Sequence, residues 1–198
     1  MKKLILALFT LTLSLTSLFA NEAAVKKAIT HSVKLVADGK VMETIDCYTK
    51  DFVDINLDTK EKMDYNDSIL VAKSISGKYP EEFLIVTYEM GNGKKPDAQE
   101  LKKLREIAKT AEFQKSYSDI CKQMIEMSKK VSSLELKTMK FISVKVKENN
   151  AVAVIEFETY DGADANLKTV IRMTETFKLR KVNGAWKICE SASKKISR

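Results

Sequence analysis

From residue 142 onward, apolar side chains recur at every second position. Ile142, Val144 and Val146 form one set; Ala151, Ala153, Ile155 and Phe157 a second; Ile171, Met173, Phe177 and Leu179 a third; Trp186 and Ile188 a fourth. A period of two puts alternate side chains on one face of a strand, so the pattern predicts four half-buried strands. The breaks between them, Glu148-Asn149-Asn150, Asp161-Gly162 and Asn183-Gly184, are turn sequences, and they connect the strands as an antiparallel meander. A sheet with one greasy face needs a cover, which the helical first half of the chain can supply. Trp186 shares the phase of Ile188 and is expected on the covered face.

The first half changes period. Val25, Ile29, Val33 and Val36 share one side of a helix over 22–37, which Gly39 ends. A short helix over 41–50 turns Val41, Ile45 and Tyr48 inward. Residues 52–57 alternate as a strand, Asp58-Thr59-Lys60 turns the chain, and 62–65 return it. Asn66 or Asp67 then caps a helix over 68–76. Pro80-Glu81-Glu82 reads as a first helical turn. Residues 83–90 fit a helix or a strand equally, and Gly91-Asn92-Gly93 breaks the run. From Lys94 a long helical stretch reaches about residue 130, kinked near 109–111. Its inward stripe includes Leu101, Leu104, Ile107, Phe113, Tyr117, Ile120, Met124 and Met127. Eight methionines, with Met124, Met127 and Met139 close together, read as core filler or as an adaptable binding surface. No internal repeat or linker divides the chain.

The N-terminus has the layout of a secretory signal. Lys2 and Lys3 precede an uncharged apolar run over 4–19, and Ala20 stands before the polar Asn21. Cleavage after Ala20 leaves one domain, 21–198, in a periplasmic or secreted location. A retained anchor is the alternative, although the run is shorter than the roughly 20 residues that span a bilayer. Losing Lys2 and Lys3 takes the formal charge from +7 to +5. The only arginines are Arg105, Arg172, Arg180 and Arg198. Scattered lysine without clustered arginine argues against a nucleic-acid partner and leaves at most weak attraction to anionic envelope surfaces. Cys47, Cys121 and Cys189 fit no metal or redox spacing. In an oxidising compartment any two of them can pair, or all three stay free.

Glu175 is the most pointed candidate. It continues the apolar phase of its strand beside Met173 and Phe177, so an unbroken strand aims a carboxyl at the covered face. Such a group is paired, hydrogen-bonded or pushed toward its neutral form, which suits a general acid or base or a polar anchor in a greasy pocket. A β-bulge that flips the register is the competing reading. His31, the only histidine, lies at the flank of the first helix's apolar stripe and is either a pocket residue or a half-exposed boundary residue. Tyr48, Asp51 and Asp54 cluster where the second helix meets the first strand, as acid–base groups or as packing and helix-ending residues. Asp161-Gly162-Ala163-Asp164-Ala165-Asn166 lacks the ligand alternation of a calcium loop and reads as a hairpin turn. No metal site and no cofactor motif is found, and none is expected.

Two blocks carry a resemblance. One is Thr44-Ile45-Asp46-Cys47-Tyr48-Thr49-Lys50-Asp51-Phe52-Val53; the other is Phe177-Lys178-Leu179-Arg180-Lys181-Val182-Asn183-Gly184-Ala185-Trp186-Lys187-Ile188. With the order of elements they make residues 22–77 and 139–193 resemble the cone-shaped nuclear-transport-factor-two-like superfamily, which includes ketosteroid isomerases, scytalone dehydratases and polyketide cyclases. The resemblance implies an α+β fold in which N-terminal helices cover a curved antiparallel sheet, with a helical insertion or elaborated third helix at about 79–135. It also implies a cone enclosed by sheet and helices, in which family enzymes place their acid and base. No linear motif carries a catalytic residue across. A similar sheet with extra helices occurs in periplasmic phospholipid carriers, which adds lipid binding as an option. The leading expectation is a non-enzymatic exported domain that binds a small apolar molecule or a protein partner through the cone, with Glu175, Met173, Phe177, Tyr48 and His31 as the candidate binding residues. The rivals are an isomerase or dehydratase with Glu175 as proton carrier, and an interaction module that dimerises through the open sheet face.

Overall fold

The computed structural model describes residues 21–162, 164 and 166–196. Residues 1–20, read in the sequence as a signal segment, lie outside the described residues, as do Ala163 and Ala165 of the turn after the second meander strand. Helix α1 is described over 21–37, followed by a 3-10 helix Val41–Cys47, strands β1 (Tyr48–Asn56) and β2 (Lys62–Asp64), and helices α2 (Tyr65–Ile75), α3 (Pro80–Asn92), α4 (Ala98–Ala108) and α5 (Ala111–Thr138). Strands β3 (Lys140–Lys147), β4 (Asn150–Tyr160), β5 (Val170–Val182) and β6 (Ala185–Lys195) complete the chain. Among the described residues, no helix is long and apolar enough to cross a membrane.

The strands form one curved, unclosed sheet in the order β2-β1-β6-β5-β4-β3. The last four run antiparallel in sequence, as the alternating pattern predicts. The sheet as a whole is mixed, which corrects the all-antiparallel expectation: β1 pairs parallel to β6. No hairpin joins these two strands, so no turn forces them to run opposite ways. The inner face carries Ala151, Ala153, Ile155, Phe177, Leu179 and Ile188, which pack with Phe52 and with Val25 and Ile29 of α1 into one core. Trp186 joins this core at 8 % exposure, on the covered face as expected.

Two bulges retune the alternation. The β3–β4 register shifts between Phe141 and Ser143, so Ile142 turns outward at 56 % exposure and Phe141 packs against the core in its place. The β5–β6 register shifts at Lys178 and Leu179, making Cys189 the extra residue and bringing Ser191 to the inner face.

Helix boundaries follow cap chemistry. At the end of α1, Gly39 has φ +76° and its N–H donates to Val36 O, while Lys40 N–H donates to Leu35 O. That paired closure needs a left-handed residue, which glycine adopts without strain. The 41–50 helix is shorter than expected, because the chain is already extended at Tyr48. Asp64 rather than Asn66 or Asp67 caps α2: its Oδ1 accepts from Asn66 N and Asp67 N at 2.7 and 2.9 Å, and Asp67 returns a carboxylate to Asp64 N.

The ambiguous run 83–90 is helical, inside α3. The expected kink near 109–111 is a full break, with Thr110 capping α5. Tyr117 fixes the insertion to the rest: it stacks near Phe83 and Phe113, accepts from Tyr79 N at 3.0 Å and donates to Ser74 O. The α4–α5 stripe is turned relative to the expected one. Ile107, Ile120 and Met127 are exposed, while Ala108, Tyr117, Cys121 and Ser132 are buried. The three thiols are unbridged.

Candidate functional site

The wide end of the sheet does not close completely on its helices. A cavity of about 280 Å³ remains between the inner face, α1, α2, α5 and the 3-10 helix. Val33 and Val36 of α1, Val71 and Ile75 of α2, and Phe52 and Phe177 of the sheet give it an apolar wall. Hydroxyl groups punctuate that wall, but Ser32 and Thr44 spend their protons on backbone carbonyls of their own helices.

Three carboxyl groups face the same space: Asp54 from β1, Glu135 from α5 and Glu175 from β5. The β4–β5 ladder runs without a shift from Asn150↔Arg180 to Tyr160↔Val170, so no bulge flips Glu175, which sits across from Ile155. Asp54 accepts a short hydrogen bond from the Ser191 hydroxyl, which the β6 bulge delivers. Glu135 accepts from Thr159 Oγ1 at 2.8 Å, and burial pushes its pKa up against that bond and one from Ser132. Glu175 receives no hydrogen bond from any described residue. Burial first, and then the charges of Asp54 and Glu135, push its pKa up to about 8.

Tyr48 stacks on Phe52 with ring centroids 4.2 Å apart. The two residues are four apart in the chain and both line the cavity. Burial, reinforced by the neighbouring Cys47, Glu175 and Asp54, raises the Tyr48 pKa far above its usual range and keeps its hydroxyl neutral.

Of the candidate site residues singled out in the sequence, the cavity brings together Glu175, Phe177, Tyr48 and Asp54. Met173 packs against the core without lining the cavity. His31 is exposed and faces a separate groove with Glu43, Asp46, Cys47 and Trp186. Asp51 also points away: the Thr49 hydroxyl and then Arg180, 3.1 Å from it, hold its pKa low on the outer surface. Glu135 and Ser191 were not legible. Glu135 lies three residues past Ser132 on the buried side of α5, beyond the 130 boundary read from the sequence, and Ser191 faces inward only because of a bulge. Among the described residues, no group of three or more His, Cys, Asp or Glu is placed to hold a metal ion.

The sequence matches no protein-family model and no curated protein. Solved structures do match. A nuclear-transport-factor-two-like protein with a cystatin-like fold from Novosphingobium aromaticivorans superposes with a TM-score of 0.51 at 7 % identity, over 93 % of this chain and 87 % of that one. A ketosteroid isomerase-like protein from Erwinia carotovora gives 0.46 at 12 % identity, over 89 % and 96 % of the two chains. A nuclear-transport-factor-two-like protein of unknown function from Shewanella oneidensis gives 0.44 at 10 % identity, over 86 % and 96 %. The Novosphingobium match carries the assignment, and identities this low speak to architecture alone. Helices over a curved, unclosed mixed sheet, with a cavity at its wide end, give this chain the fold of the nuclear-transport-factor-two-like superfamily.

Proposed function

We propose that the cone is a binding site for a small, largely apolar molecule carrying one polar group, which Glu175 anchors. The observation that carries this reading is the Glu175 carboxyl, without a hydrogen-bond partner among the described residues, at the wall of a cavity whose aliphatic and aromatic lining is broken only by hydroxyls and by the already hydrogen-bonded Asp54 and Glu135. A neutral carboxyl both donates and accepts, so it can meet a hydroxyl or carbonyl that the apolar wall cannot. The cavity has room for a compact ring or short chain rather than a whole phospholipid. The signal-like segment supports action in the periplasm or outside the cell, and N-terminal sequencing of the mature protein tests this: Asn21 is expected, and an intact Met1 refutes it.

A second reading has its own support. A carboxyl that gives up its proton near pH 8, facing Asp54 and Tyr48 across one cavity, has the equipment for proton transfer in an isomerase or dehydratase. Thermal unfolding with 2-phenylethanol and cyclohexanone tests the cone as the site that both readings share. Binding to the folded state raises the melting temperature by mass action. Val36→Phe, which fills the cavity, should abolish that rise. A rise that survives Val36→Phe, or none in the native protein, refutes the cone as the site.

A further inference from the structure

The chemistry of the cavity wall bears on the charge of its occupant. Lys and Arg outnumber Asp and Glu in this chain by 34 to 27, yet among the described residues the wall holds three carboxyl groups and no Lys, Arg or His. Two of the three, Asp54 and Glu135, are steadied by hydroxyl donors; the third, Glu175, has none. Beside it lies the stacked pair Tyr48 and Phe52, whose ring faces carry the negative side of the aromatic quadrupole. An anionic ligand would meet acidic side chains here and no positive one among the described residues. A positive group would meet acidic side chains and ring faces together, in a partly enclosed space where both attractions are stronger than in bulk water.

We propose that the molecule held in the cone is an organic cation, a protonated amine on an apolar body, with its ammonium group against Glu175 and the Tyr48–Phe52 rings; this rests on the cone being a binding site. The unmatched hydrogen-bonding capacity of Glu175 then belongs to the ligand, as does the repulsion among the three acids. The titratable groups that face Glu175 are Tyr48 and Asp54 from β1 and Glu135 from α5, while α1, α2 and the 3-10 helix offer hydroxyls and apolar groups only. Burial keeps the proton on Glu175 up to about pH 8, so at neutral pH the empty cone holds a carboxylic acid. An arriving ammonium brings its own proton. Glu175 therefore releases its proton to solvent, and the protein exchanges one H⁺ for one organic cation with the cavity's net charge unchanged.

Isothermal titration at pH 7 with 2-phenylethylamine, 2-phenylethanol and phenylacetate tests this, because the three share an apolar body and differ in charge. The amine should bind at least about tenfold more tightly than the alcohol, and the acid more weakly than either. The amine's heat should also vary with the ionisation enthalpy of the buffer, which reads the released proton. Glu175→Gln should erase that buffer dependence and the preference for the amine over the alcohol. Asp54→Asn, tested in parallel, should narrow the amine's advantage without depending on the fold of the first variant. Equal binding of amine and alcohol, or tightest binding of phenylacetate, overturns the cationic ligand and leaves the cone a site for other molecules. Failure of all three to bind protein stripped of its contents overturns the binding site itself.

Discussion

Replacing Glu175 with Gln should stabilise the domain, and the gain should grow with pH. The side chain ordinarily titrates at 4.5, and in the folded protein it titrates at about 8. Between those values the folded state keeps a proton that the unfolded state has lost, so stability falls as pH rises. The loss begins near pH 4.5, runs at about 1.4 kcal/mol per pH unit and levels off above pH 8. Across the whole window that comes to about 5 kcal/mol, and partial solvent access through the cavity mouth trims it to about 2–4 kcal/mol. Glutamine keeps the shape and cannot ionise. Urea unfolding of both proteins at pH 4, 6, 8 and 9.5 isolates the effect, since groups common to the two cancel in the difference. The variant should match the parent within about 1 kcal/mol at pH 4 and exceed it by the full amount at pH 9.5. Parallel stability curves would show that Glu175 is not enclosed among acids, and the account of the cavity would fall with them.

Trp186→Ala should cost about 3–5 kcal/mol in chemical denaturation, because a large buried ring leaves a cavity under the sheet; native fluorescence at a fully solvated wavelength would contradict its placement. Gly39→Ala should cost about 1–2 kcal/mol, since the residue is held at φ +76° where a Cβ is strained. The added Cβ would lie 2.6 Å from Lys129 Cε, the far part of a flexible side chain that can move aside, so a loss much above that range would refute the backbone explanation.

The sequence made the meander and the inward phase of Glu175 legible because both are local. Alternation over a few residues decides which face a side chain takes, and nothing shifts the ladder between β4 and β5. What it hid depends on partners. Periodicity reports which face of a strand is buried but not which neighbour it pairs with, so the parallel pairing of β1 and β6 left no trace. Ile142 kept the alternating pattern and still turned outward, because a bulge is a property of two strands together. Glu135 escaped because its helix continues into the cone beyond the last apolar residue of the expected stripe. A charged residue at a helix end looks like solvent-facing surface until the sheet beneath it is known.

The contact between Asp54 and Ser191 joins residues 137 positions apart, across the parallel seam of β1 and β6. A ribosome delivers the first of these long before the second, and closing so long a loop must precede any reward from the contact. The β1–β2 hairpin and α1 therefore wait, until β6 has been synthesised, without the wall that completes the cone. A chain cut short before β6 retains every helix and both Asp54 and Glu175, yet has no strand to hold β1 against β5. Possession of a formed cone is in this sense a certificate that synthesis has passed β6.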